Sequence, residues 1–204
     1  MKPTRALTAV LLLAGCMAAQ TVSGHAAPTN PATPFGQQAL PAAAAQPSTS
    51  DANPADVKSI EAIIHAVYDV ISGPPGERDW KRFRSLFIPE ARLIFSGKNA
   101  RGEYRRTVMT PEDYIQRSGP MFLKEGFFEK TIGNRVEQFG TVAHVFSAYE
   151  TLHGDKKPMA RGINSIQLVN DGKRWYVVTI LWDQERPDNP IPEKYLQDGL
   201  KATK

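Results

Sequence analysis

The chain reads as an α+β domain in which helices come first and long antiparallel strands follow. Three observations predict this. Apolar residues recur at spacings of three and four from Val57 to Ile71, the signature of one buried helix face. From Phe127 onward the pattern changes to long strand-like runs. Asn170-Asp171-Gly172-Lys173 places a tight turn between the last two runs, because Asp-Gly suits the left-handed backbone of a two-residue hairpin.

The first helix is well marked. Asn53 is a natural N-cap, Pro54 fits the first helical position, and Asp56 complements the positive end of the helix dipole. Val57, Ile60, Ile64, Val67 and Ile71 form its stripe, and Gly73-Pro74-Pro75-Gly76 stops it. A second helix is expected from about Arg78, with Trp80, Phe83, Leu86 and Phe87 on one face and Pro89 ending it. Residues 91–96 then read as a strand, with Tyr104–Met109 as its returning partner. Thr110-Pro111-Glu112-Asp113 opens a third helix, which Gly119-Pro120 is expected to break. Four strands follow, at Phe127–Phe139, 141–152, 160–169 and 174–183.

With Asp171 and Gly172 as the two turn residues, the last two strands acquire a register. Leu168 then faces Trp175, Ile166 faces Val177, Asn164 faces Thr179 and Gly162 faces Leu181, with Asp183 farther along that side. The other side carries Tyr176, Val178, Ile180 and Trp182 against Gln167, Ser165, Ile163 and Arg161. Both sides are largely apolar. One packs on the helices, so the second invites a partner, and a homodimer through the sheet is the expectation. The competing expectation is a C-terminal segment folded back over part of that face. Glu150 and Arg161 become outer-face neighbours if their hairpin closes over 153–158.

The N-terminal region points to export. Met1 to Arg5 is short and basic, and the apolar stretch from Ala6 is too short to span a bilayer, so 1–26 reads as an export signal. Leu13-Ala14-Gly15-Cys16 resembles a bacterial lipobox, which would make Cys16 a lipidated first residue and the only link to a membrane. Gly24-His25-Ala26 offers an alternative cleavage site before Ala27. The location is therefore the periplasm or the outer membrane as a lipoprotein, with secretion as the other outcome. Residues 27–53 are a linker rich in Ala, Pro, Thr, Ser and Gln that cannot bury enough apolar surface to order itself. Residues 54–186 suit one domain, and 187–204 an irregular tail punctuated by Pro187, Pro190 and Pro192. Without Lys2 and Arg5 the chain has 23 basic and 21 acidic residues, not the footprint of a nucleic-acid binder. The basic clusters 78–84 and 101–106 read as solvated faces first and anion sites second.

The order helix, helix, strand pair, helix, long antiparallel strands resembles the nuclear transport factor 2-like superfamily, which includes the SnoaL-like cyclases, ketosteroid isomerase and scytalone dehydratase. Tyr68-Asp69-Val70-Ile71-Ser72-Gly73, Arg78-Asp79-Trp80-Lys81-Arg82-Phe83-Arg84-Ser85-Leu86-Phe87, Arg161-Gly162-Ile163-Asn164-Ser165-Ile166-Gln167-Leu168 and Asp171-Gly172-Lys173-Arg174-Trp175 resemble an uncharacterised bacterial exported branch of it. The resemblance implies a cone: a curved sheet wrapped around about three helices, with a cavity at its wide end. One such scaffold hosts unrelated chemistries.

No nucleophile elbow or phosphate-cradling loop occurs, and His65, His144 and His153 lack chelating spacing, so neither a metal nor a cofactor is expected. His65 and Tyr68 lie one helical turn apart at the edge of the apolar stripe. In an enzyme, Tyr68 would stabilise an oxyanion, His65 would move a proton, and Asp183 would supply the carboxylate. As ordinary core residues, the first two would simply pack with their polar tips satisfied. Trp80, Ser147, Tyr149, Asn164 and Thr179 are the candidate ligand contacts, since few polar groups in an apolar cavity describe a small-ligand site. Three functions fit these residues. The first is a non-catalytic protein binding a small apolar or amphipathic organic ligand. The second is a cofactor-free isomerase, cyclase or dehydratase. The third is an envelope protein–protein interaction module.

Overall fold

The computed structural model describes residues 52–99 and 101–197. Cys16, the export signal and most of the linker lie outside them.

The first helical stretch is two helices, not one. α1 spans Pro54–Val57 with Asn53 as its cap, and α2 spans Ile60–Ile71. Ser59 interrupts them, because its hydroxyl accepts from the Ala62 N–H and recaps the chain. Val57, Ile64, Val67 and Ile71 stay buried on one face across the break. α3 is short, Trp80–Ser85, capped by Asp79. Phe87, expected in that helix, and Pro89, expected to end it, both lie in β1, Phe87–Lys98. β1 tolerates Pro89 because its pairing with the next strand over is irregular between Phe87 and Arg92. β2 covers Tyr104–Met109, and α4 runs Pro111–Glu125 behind a Thr110–Asp113 capping box. Gly119-Pro120 fails to break α4: Pro120 lies inside the helix, which ends at Gly126 with φ 72°. β3 (Phe127–Phe139), β4 (Val142–His153), β5 (Pro158–Asn170) and β6 (Trp175–Gln184) complete the domain.

The strands form one sheet in the order β2-β1-β6-β5-β4-β3. Sequential neighbours pair antiparallel, but β1 lies parallel to β6, so the sheet is mixed and not wholly antiparallel. Irregularities interrupt β3 beside Ile132, β4 between Thr151 and Leu152, and β5–β6 at Gln167/Leu168. Such bulges bend strands.

The β5–β6 register differs from the sequence expectation. Asn170 pairs with Trp175, so the loop holds four residues, with the Asp171 carboxylate accepting from the Lys173 and Arg174 N–H groups. Leu168 pairs with Val177, and the next pair is Gln167 with Thr179, leaving Val178 as an extra residue. Side chains alternate along a strand, so that one residue exchanges the faces of everything after it. Leu168, Ile166 and Asn164 point inward as expected, as do Trp175 and Val177. Beyond Val178, however, Ile180 and Trp182 turn inward while Thr179, Leu181 and Asp183 turn outward.

The tail returns over the outer face. Phe146 and Tyr195 rings lie 5.1 Å apart, and the Asn134 N–H donates to the Gln197 carbonyl at 2.9 Å. Gly133 permits this approach, since a Cβ there would collide with the Tyr195 and Leu196 backbone. The β2–β1–β6 side keeps an apolar strip in which Ile94 pairs with both Val108 and Leu181. Glu150 does face Arg161, but each pairs elsewhere, Glu150 with Lys130 at 3.1 Å and Arg161 with Glu185 at 3.4 Å.

The basic cluster 78–84 is solvated at Lys81 and Arg84, but its arginines also serve the structure. Arg78 donates to the carbonyls of Ile71, Gly73, Pro74 and Gly76, at 2.8 to 3.1 Å, and so holds the turn between α2 and α3. Arg82 bridges Asp56 and Asp69, and Arg84 grips Glu112 with two hydrogen bonds.

Candidate functional site

A cavity of about 200 Å³ lies between the helices and the inner face of the sheet. Its walls come from α2, α3, α4 and five of the six strands, which requires the sheet to curve around it. Phe83, Tyr114, Phe122 and Phe127 form one wall as a run of packed rings. Phe83–Tyr114 centroids are 5.5 Å apart and Phe122–Phe127 centroids 4.9 Å. Trp182 from β6 and Met159 from β5 face them.

Among the described residues Glu129 is the one formally charged member of this lining, and sequence reasoning missed it. It sits two residues after buried Phe127 on β3, hence on the same, inward face. Its backbone is fixed by α2: the Glu129 N–H donates to Ser72 Oγ at 2.9 Å, and the Ser72 hydroxyl donates to the Tyr68 carbonyl at 2.7 Å. Its carboxylate accepts from Asn164 Nδ2 at 3.0 Å, its only hydrogen-bond donor among the described residues. Burial pushes the carboxyl from 4.5 up to about 7, the Asn164 amide pulling the other way.

Behind this wall runs a buried polar chain. Tyr68 Oη donates to Ser147 Oγ at 2.7 Å and accepts from Asn164 Nδ2 at 3.1 Å. Ser147 in turn donates to Thr131 Oγ1 at 3.2 Å. Burial raises the Tyr68 phenol above its ordinary value, and the nearby Glu129 carboxylate adds to that. Burial and Glu129 likewise raise Tyr114 and Tyr149. All three phenols therefore stay neutral hydrogen-bonding groups.

The expected site residues divide. Tyr149 and Asn164 line the cavity. Tyr68 and Ser147 are buried just behind it and reach it only through Asn164. Trp80 is core, edge-on to Phe83 at 5.7 Å and stacked on Phe122 at 6.1 Å. His65 is exposed on the outer side of α2, because the stripe it borders turns its neighbours Ile64 and Tyr68 inward instead. Asp183 is removed by the extra residue in β6. It faces out and accepts from Arg186 Nη1 at 2.5 Å and Nη2 at 3.0 Å. Thr179 is turned outward by the same shift. One carboxyl, two amides and two phenols around a largely apolar space can hold a small organic molecule by its polar end and exchange a proton with it.

No protein-family model matches the chain, and no curated protein matches it. Among solved structures it is similar to a protein of unknown function with a cystatin-like fold from Nostoc punctiforme, at 12% identity and a TM-score of 0.49, over 66% of this chain and 94% of that one. It is also similar to a nuclear transport factor 2-like protein of unknown function from Silicibacter pomeroyi, at 12% identity and a TM-score of 0.43, over 63% and 94%. A third, from Methylobacillus flagellatus and of the same description, shows 14% identity and a TM-score of 0.40, over 63% and 95%. By its own strand order and its helices against one face, the chain has an α+β fold built on one mixed six-stranded sheet.

Proposed function

We propose that this chain is an exported protein that binds a small apolar or amphipathic organic ligand in the cavity between helices and sheet. The observation that carries this is the lining itself: apolar and aromatic walls around the Glu129–Asn164 pair. Burying a ligand's apolar body there gains roughly 25 cal/mol for each Å² removed from water. The polar pair would set its orientation.

Met159 is 37% exposed at the cavity wall, so enlarging it obstructs entry with little demand on the core. Ligand-observed nuclear magnetic resonance with a set of aromatic fragments should detect binding to the wild type and its loss in Met159→Trp at unchanged melting temperature. Equal binding to both would remove the cavity as the site.

A second reading is proton-transfer catalysis, favoured by the Glu129 carboxyl near 7, where it can both give and take a proton at neutral pH. Tyr68 would then position Asn164 and not touch the reacting atoms. Deuterium exchange into enolisable ketone probes, abolished by Glu129→Gln, would establish it.

The export signal and Cys16 support a place in the cell envelope, and intact mass of the protein from its native host would read lipidation directly. The bare Val108–Ile94–Leu181 strip supports a homodimer through that half of the sheet. Light scattering should then show Leu181→Arg as a monomer beside a dimeric wild type.

A further inference from the structure

The ligand-binding reading leaves the chemical class of the ligand open, and the charge pattern of the cavity narrows it. We infer that the cavity selects an organic cation, an amine with a compact apolar body, with Glu129 as its counter-ion; this rests on the cavity being a ligand site.

Among the described residues the lining contains no lysine, arginine or histidine, and Glu129 supplies its one formal charge. The groups around Glu129 are neutral from every side: Tyr68 from α2, Tyr114 and Ser118 from α4, Tyr149 from β4, Asn164 from β5, Trp182 and Gln184 from β6. The Arg78 guanidinium, 5.4 Å from the Phe122 ring centre, has its donors committed to four backbone carbonyls of the α2–α3 turn. Glu129 therefore sits among uncharged groups, with no cation against it and a single amide donor as its hydrogen-bonding company among the described residues.

A buried carboxylate without a counter-charge is costly, and the protein relieves that cost only by protonating it. A ligand cation relieves it directly, because attraction between opposite charges strengthens as water is excluded. The ring faces act in the same direction, since their negative quadrupole attracts ammonium groups. An anionic ligand meets the opposite on every count: repulsion by Glu129, negative ring faces and no cation to pair with. A neutral ligand gains the apolar burial but leaves Glu129 to hold its proton. Cation binding is thus linked to ionisation of Glu129, and one proton leaves as the amine enters.

Phenethylamine, 2-phenylethanol and phenylacetate share one aromatic body and differ in charge. Isothermal titration of the full chain with each, at pH 6 and pH 8, tests the inference. The amine should bind about tenfold more tightly than the alcohol at pH 8 and should weaken toward pH 6, while phenylacetate shows no binding. Titrations at pH 6.5 in buffers of different ionisation enthalpy should report proton release with the amine alone. Glu129→Gln should bring the amine down to the level of the alcohol and remove its pH dependence. If that variant does not fold, the pH series and proton release of the wild type decide the matter alone. Alcohol or phenylacetate binding as tightly as the amine at pH 8, or amine binding without proton release, would overturn the inference while leaving the ligand site in place. Binding by none of the three would overturn both.

Discussion

Asn164 Nδ2 lies 3.0 Å from Glu129 Oε1 and 3.1 Å from Tyr68 Oη, so one amide joins the cavity carboxyl to the buried hydroxyl chain behind it. The two hydrogen bonds place a residue of β5 between β3 and α2. The bond to Glu129 also favours its ionised form against the pull of burial.

Replacing Asn164 by Leu should therefore raise the Glu129 titration midpoint above about 7, since its one stabilising donor is gone. Carbon-detected titration of the glutamate side-chain carboxyl would read the shift. A fall in the midpoint would mean that Asn164 does not act on the ionised form.

Tyr68→Phe removes a hydroxyl that accepts from Asn164 and donates to Ser147, itself fully buried. Both partners are then left wanting in the interior, which costs on the order of 1–3 kcal/mol. Urea unfolding should show that loss as a lower midpoint with an unchanged slope.

Stability should depend on Glu129 with a definite sign. Its folded-state pKa, about 7, lies above its ordinary 4.5, so the folded chain binds the proton more tightly than the unfolded chain. The group is harmless below pH 4.5 and erodes stability as pH rises to about 7. The loss is on the order of 2 kcal/mol, because the half-buried side chain keeps some contact with solvent. Glu129→Gln should match the wild type at pH 4 and exceed it at pH 8 in urea unfolding.

The tail should respond to Gly133→Ala. The new methyl meets the Tyr195 and Leu196 backbone, so the strap must lift and Tyr195 must leave Phe146. Hydrogen exchange at the Asn134 amide, which donates to the Gln197 carbonyl, should accelerate while the amides of α2 are unaffected.

Much of the fold was legible because apolar spacing and turn chemistry act locally. β3 was read with its observed bounds, and the capping of α4 by Thr110 and Asp113 follows from the sequence alone. Ser59 hid a break, because a hydroxyl inside an apolar stripe is compatible with a continuous helix until its hydrogen bond is seen. The extra residue at Val178 left no sign in Val177-Val178-Thr179, since each of those residues favours a strand on either face. That one count cost the sequence reading both Thr179 and Asp183. Glu129 was visible in principle: it shares parity with Phe127, and a glutamate on the buried side of a strand is rare enough to ask for a reason. Tyr149 and Asn164 were found because their parity is fixed by β4 and β5, which the Val178 insertion does not disturb.

The extra residue in β6 also fixes what a single deletion would do to the pocket. Without Val178, Thr179 would follow Val177 directly and still face out, so Ile180 and Trp182 would keep the inner wall and Leu181 and Asp183 the outer one. The pairing would run on unbroken from Leu168–Val177 to Gln167–Thr179. One codon therefore removes the local bend of the strand and leaves the monoacid chamber as it is.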